Sequence, residues 1–179
     1  MRKKSDKFDY VKSNLLLNQN LIAVLKSIES GFYKEGKKKL LGMYCSLQGE
    51  PDLTKIMFNM SWKIALPKIY DRKFIKMISW NLDQNNLTKG DLGILEPISN
   101  EELMPDVMIV PGVAFSIDGY RIGFGHGYYD QYLSRISNQK ANFFSIGVCF
   151  HQFLIENFIQ NSWDFKFHFV ITNKIILKL

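Results

Sequence analysis

The stretch that decides the fold is Asp106-Val-Met-Ile-Val-Pro-Gly-Val-Ala-Phe115, followed at Arg121 by Arg-Ile-Gly-Phe-Gly-His-Gly-Tyr-Tyr-Asp130. Residues 106–110 form a continuous apolar run that Pro111-Gly112 ends, the pattern of a strand buried on both faces and hence of a parallel sheet under helices. Ala114-Phe115 and Arg121-Ile122 flank a turn at Ser116–Gly119, which predicts a small hairpin. Gly123, Gly125 and Gly127 alternate in the loop beyond it. Alternating glycines let successive N–H groups line a concave anion site. The loop runs into Tyr-Tyr-Asp-Gln-Tyr-Leu-Ser-Arg-Ile, which reads as a helix to about Ile136. A helix N-terminus adds free donors and the positive end of its dipole. The spacing therefore points to phosphate, with tight turn geometry as the plain alternative.

Working outward, residues 13–29 carry Leu15, Leu16, Leu21, Ile22, Leu25 and Ile28 at helical spacing, with Ser13 as cap and Gly31 as stop. Residues 39–47 alternate as a strand. Asp52 is placed to cap a helix over Leu53, Ile56, Met57 and Met60. A short strand over 63–66 is expected to stop at Pro67, another spans 74–82, and residues 83–89 read as a polar loop. Gly90–Pro97 reads as irregular. A strand at 143–150, a helix at 153–160 and a closing strand at 167–172 complete the pattern. Alternating strands and helices without repeats or linkers predict one α/β domain over 1–179, a largely parallel sheet flanked by helices.

Composition fits this picture. The chain has 179 residues, 46% hydrophobic and 22% charged, enough for one well-buried core. No apolar run approaches the roughly 18 residues that span a bilayer, and no signal peptide is expected. Cys45 and Cys149 stand in separate apolar segments and read as packed thiols of a reducing, cytoplasmic compartment. A net charge of +6 attracts anionic ligands, but the lysines are scattered, unlike the stripe of a dedicated nucleic-acid binder.

The loop fits none of three well-known phosphate motifs. The dinucleotide fingerprint needs a third glycine where Tyr128 stands, no Gly-Lys-Ser/Thr follows, and the downstream kinase motifs are missing. The buried strand, Pro-Gly and Arg-x-Gly-x-Gly-x-Gly-Tyr-Tyr-Asp together closely resemble the signature of the 5-formyltetrahydrofolate cyclo-ligase (methenyltetrahydrofolate synthetase) family. Ser46-Leu-Gln-Gly-Glu50, Gly90–Pro97 and Trp163-Asp164 resemble further family segments in the same order.

The resemblance implies a three-layer α/β/α sandwich with a mixed, largely parallel sheet of the ribose-phosphate-isomerase and CoA-transferase-like type. It implies MgATP-dependent closure of 5-formyltetrahydrofolate to 5,10-methenyltetrahydrofolate with release of ADP and phosphate. Arg121 and Tyr128 would be catalytic. Arg121, Ile122, Gly123, Phe124, Gly125, His126, Gly127, Tyr128 and Tyr129 would bind ATP, with Lys3 and Lys4 the candidates for the basic arm of typical members. Cys45, Glu50, Phe124, Gly125, His126, Gly127 and Tyr128 would contact the reduced folate, and Asp130 and Asp164 would bind Mg²⁺.

Three positions depart from the family pattern. His126 would make ATP affinity fall as pH rises through about 6.5, the ordinary imidazole value. Ser116 replaces an aspartate with small structural effect, and His168 replaces an acid and weakens the metal environment. His151 reads as structural. A monomer acting on reduced folate and ATP is expected, without membrane or specific nucleic-acid partners. The alternatives are a degenerate member that binds folate or nucleotide without turnover, and a nucleic-acid-binding module.

Overall fold

A computed structural model describes residues 8–32, 39–59 and 61–179. Helix α1 (Tyr10–Phe32) begins before Ser13 because Asp9 Oδ1 accepts the Lys12 N–H at 3.1 Å, a capping bond one turn earlier. Its buried stripe is Leu17, Leu21, Val24, Leu25 and Ile28, while Leu15 faces water. Strand β1 (Leu40–Gly42) leads to α2 (Thr54–Asn59), which Asp52 caps through the Thr54 N–H as expected. Met60 lies outside the described residues. Then come β2 (Lys63–Tyr70), β3 (Phe74–Trp80), β4 (Leu87–Lys89), β5 (Leu95–Pro97) and β6 (Val107–Pro111). The hairpin of β7 (Ala114–Ser116) and β8 (Arg121–Ile122) precedes α3 (Tyr128–Gln139). The chain closes with β9 (Phe144–Val148), β10 (Leu154–Ile155), β11 (Phe169–Ile171) and β12 (Ile176–Lys178).

Seven strands form the main sheet in the order β12-β11-β9-β6-β1-β2-β3. The inner five are parallel, and β12 and β3 join antiparallel. The sheet is mixed and largely parallel, as expected. Strand β6 shows why its sequence is apolar throughout. Val107 and Ile109 join the core under α1 and α2, while Met108 and Val110 join the core under α3 with Tyr132, Leu133 and Ile136. Side chains alternate across a strand, so burial on both faces consumes every position. Each such side chain contributes roughly 1.5–3 kcal/mol of burial.

Four sequence expectations are corrected. Pairing of β1 stops at Gly42, and Met43 and Tyr44 are buried in succession, which breaks the expected alternation over 39–47. Strand β2 runs straight through Pro67. The Lys63 N–H points to Lys39 O of the neighbouring strand at 2.8 Å, and Pro67 faces the same way by period two. The ladder ends at Gly42 and Ala65, with the Met43 N–H its last bond, to Ala65 O at 2.9 Å, so Pro67 lies past the paired stretch and its missing N–H breaks no ladder bond. Residues 83–97 are ordered too: a short 3₁₀ turn at Gln84–Asn86 leads into the β4–β5 ribbon. Residues 153–160 form no α-helix; Phe153 only ends a 3₁₀ turn at His151–Phe153. Leu154 and Ile155 pair parallel with Phe115 and Ser116, and Ile159 is 94% exposed. A helix there would have had an apolar face with nothing to cover it.

Candidate active site

The chain builds β1, β2 and β3 outward in one direction and then returns to set β6, β9 and β11 on the other side of β1. In open α/β sheets a crevice forms where the strand order reverses, at the carboxyl ends. A cavity of about 300 Å³ lies there. Tyr44 and Cys45 line it just after β1, Pro111 and Gly112 at the end of β6, and Pro67 and Ile69 in the upper half of β2. Leu47, Glu50, Ile75, Leu92, Ile94 and Glu96 form further walls, and Arg121, Phe124, His126, Gly127, Tyr128 and Tyr129 close it.

Arg121 is the most constrained of these residues. Its side chain is 7% exposed and donates to Asp130 Oδ2 at 2.7 Å. The guanidinium carbon lies 5.4 Å from the Tyr129 ring centroid, a cation–π contact. A Cβ on Gly123 would stand 2.5 Å from Arg121 Nη1, so that glycine is required by close approach. Arg121 Nε is buried without an acceptor among the described residues. A buried cationic donor left unpaired is costly, and such groups occur where a ligand completes the set.

The loop beyond is shaped for an anion. Gly127 occupies the N-cap of α3 at φ 68°, with no side chain capping the helix, so the first-turn N–H groups are open to a ligand. The His126 ring stacks on Tyr128 with centroids 5.3 Å apart and planes at 16°. The Tyr128 hydroxyl donates to Arg72 O at 3.0 Å, which ties the loop to the β2–β3 turn and commits that proton to the main chain. Phe124 stands 71% exposed at the loop tip.

Glu50 faces the loop from the other side. Its Oε2 accepts the Leu47 N–H at 2.8 Å, and Tyr10 of α1 fixes its carbonyl at 3.0 Å. Burial raises its pKa, with the Leu47 N–H and Arg121 pulling the other way. The Cys45 thiol is pushed up to about 11 by burial, so it is a wall and not a nucleophile. Burial also raises Tyr129 against the opposing pull of Arg121.

The expected metal carboxylates are not together in one cavity wall. Asp130 sits in the first turn of α3, held by Arg121. Asp164 Oδ2 accepts the Asn161 N–H at 2.7 Å in a separate turn, and neither carboxylate lines the cavity. No three His, Cys, Asp or Glu side chains converge as a metal cage among the described residues. A single carboxylate beside an anion loop suits Mg²⁺, which draws its other ligands from phosphates and water. Lys3 and Lys4 lie outside the described residues.

The expected effect of His168 on the metal environment is corrected. His168 Nδ1 accepts the Ser145 N–H at 3.1 Å at the amino ends of β9 and β11, the opposite end of the sheet from the cavity. The sequence reading also passed over Glu96. The resemblance of Gly90–Pro97 to a family segment assigns no role to its acid, although a glutamate between Leu95 and Pro97 in an apolar context is the available signal.

A sequence profile of the 5-formyltetrahydrofolate cyclo-ligase family matches residues 25–173. Among curated relatives, the 5-formyltetrahydrofolate cyclo-ligase of Escherichia coli K12 is 28% identical over 142 residues, 74% of this chain and 76% of that one. The one of Mycoplasma genitalium is 36% identical over 109 residues, 61% of this chain. The matches span 64%, 40% and 54% of the Schizosaccharomyces pombe, Mycoplasma pneumoniae and M. genitalium relatives' own lengths. The Aquifex aeolicus 5,10-methenyltetrahydrofolate synthetase superposes with a TM-score of 0.72 at 28% identity, covering 96% of this chain and 84% of that one. The M. pneumoniae 5,10-methenyltetrahydrofolate synthetase shares the fold at a TM-score of 0.68 and 20% identity, over 92% of this chain and 87% of that one. With the glycine loop, the switch-point crevice and the profile match in agreement, the chain belongs to the 5-formyltetrahydrofolate cyclo-ligase family.

Proposed function

We propose that the protein closes 5-formyltetrahydrofolate to 5,10-methenyltetrahydrofolate, consuming ATP and releasing ADP and phosphate. The observation that supports this reading most is Arg121, a buried guanidinium with an unpaired Nε set between a glycine loop and a mostly apolar cavity. Such a group is placed to take the charge of a transferring phosphoryl group beside a flat organic substrate.

A formamide oxygen is a poor nucleophile and a worse leaving group. Attack of that oxygen on the γ-phosphorus releases ADP and gives an N5-methylidene phosphate. N10 then bonds to the one-carbon centre and loses its proton, and departure of phosphate leaves the methenyl bridge. Phosphoryl transfer asks chiefly for positioning and charge stabilisation. The open N–H groups around Gly127 hold the phosphates, and Arg121 stabilises the charge that develops between the substrates. Glu50 orients the pterin through its N–H donors, and Phe124 and Tyr128 offer ring faces to the folate. Asp130 would hold Mg²⁺, and the ion would supply neutralisation of phosphate charge, while Asp164 stays in its separate turn. In the structure Arg121 and Asp130 hold each other; Arg121 would be the residue that turns to phosphate, and Asp130 the one that would hold the ion.

The test is direct. Mixing the protein with MgATP and 5-formyltetrahydrofolate should raise the absorbance of the methenyl chromophore, and omitting ATP should abolish the rise. No rise above background at high protein concentration rejects the activity.

A further inference from the structure

Two carboxylates line the cavity, and they are mounted alike. Each ties one oxygen to a main-chain N–H of its own wall: Glu50 Oε2 to Leu47 at 2.8 Å and Glu96 Oε1 to Ile69 at 3.1 Å. Among the described residues neither second oxygen has a hydrogen bond, and neither is sealed from the cavity. Glu96 is 6% exposed, and acids are rarely buried so far without a partner for both oxygens. Its position is specified closely. A Cβ on Gly90 would lie 2.4 Å from Glu96 Oε1 and 2.6 Å from Oε2, so the β4–β5 ribbon reserves space for this carboxyl. The surfaces around it, Ile69, Ile75, Leu92 and Ile94, are apolar.

The two acids also have different electrostatic neighbours. Arg121 acts on Glu50, whereas Lys68 and Asp91 act on Glu96. They therefore serve separate parts of the cavity. Apolar walls with an acceptor on each of two sides fit a flat heterocycle that carries N–H donors on two edges. A reduced pterin has that pattern.

We infer that Glu96 is a second substrate-holding carboxylate, whose free Oε2 accepts an N–H of the bound pterin at an edge that Glu50 does not take. This rests on the folate reading above. Main-chain anchoring of Oε1 fixes the rotamer, and the Gly90 cradle fixes the depth, so the acceptor is preorganised before substrate arrives.

Glu96→Gln separates this role from packing. The amide oxygen can still accept the Ile69 N–H, but the other arm then points an NH₂ at a ligand donor. Binding of 5-formyltetrahydrofolate without ATP, followed by titration calorimetry, should weaken about ten- to a hundredfold in Glu96→Gln. The KM for ATP should stay at the wild-type value, as should the thermal midpoint measured below the ordinary carboxylate pKa, where wild-type Glu96 is also uncharged. Wild-type folate affinity in a Glu96→Gln chain of unchanged midpoint overturns the inference while leaving the proposed activity standing. If Glu96→Gln melts early, Glu96→Asp decides in the same titration: it keeps the charge on a shorter arm, and unaltered folate affinity there also overturns the inference. Failure of the wild-type chain to bind 5-formyltetrahydrofolate overturns both readings together.

Discussion

At the amino ends of the parallel strands, polar groups meet one another. Asp106 Oδ2 accepts the Leu40 N–H at 2.8 Å, its Oδ1 pairs with Lys140 at 2.6 Å, and His168 and Ser145 bond reciprocally. Around the cavity at the carboxyl ends, Arg121 Nε has no acceptor, and Glu50 and Glu96 each have an oxygen to spare. The same sheet thus spends its polar groups on stability at one end and holds them in reserve at the other. Among the described residues two buried side-chain atoms lack a partner, Asn18 Oδ1 on α1 and Arg121 Nε, and only the second borders the cavity; a buried donor left unpaired there is what the proposed function would use.

The sharpest way to break the contrast is Arg121→Lys, which keeps the charge opposite Asp130 but loses the planar fork. The expected fall in kcat/KM for methenyl formation is about 10³-fold, with a modest change in thermal midpoint. A collapse of the fold with activity per folded molecule intact would make Arg121 another structural cation. At the other end, Asp106→Ala should cost about 2–3 kcal/mol of stability in urea melts, while KM and kcat stay within about twofold. A matching loss of turnover would erase the division between the ends.

Gly123→Ala tests the approach of backbone to Arg121 Nη1. A displaced guanidinium should lower kcat/KM about ten- to a hundredfold, with little change in midpoint. The smallest expected effect concerns pH. Burial lowers the His168 pKa, so in the window just below its ordinary value the unfolded chain holds more protons, and stability rises with pH. Burial raises Glu50 and Glu96, so just above the ordinary carboxylate value the folded chain holds more protons, and stability falls with pH. Melting wild type, His168→Gln and Glu96→Gln across pH should show slopes of opposite sign removed by the two variants. Slopes of one sign would remove this distinction.

Much of this was legible in the sequence, where local pattern and final environment agree. Val107–Val110 reads as doubly buried and is. The glycine loop reads as an anion site, and its neighbours Arg121, Phe124, His126 and Tyr128 do line one cavity with Glu50 and Cys45. The misses arise where a distant strand sets the outcome. Pro67 is tolerated only because β1 ends beside it. Leu154-Ile155 becomes a strand because β7 offers an edge. Glu96 gains meaning only when Gly90 and Ile69 fold around it, and His168 belongs to the far end of the sheet because β11 pairs with β9.

The run of β2 through Pro67 has one more consequence. Beyond the Met43 N–H, which still reaches Ala65 O at 2.9 Å, the side of β2 toward β1 has no further strand partner among the described residues, and it lies along the cavity. A free strand edge of this kind templates pairing with another chain. Here Pro67 has no N–H to give, and the next one on that side, from Ile69, is already held by Glu96. An extended peptide entering the cleft would find neither donor available. The notch beside β2 thus offers an incoming strand no main-chain donor at these two positions, which weakens it as a template for strand addition.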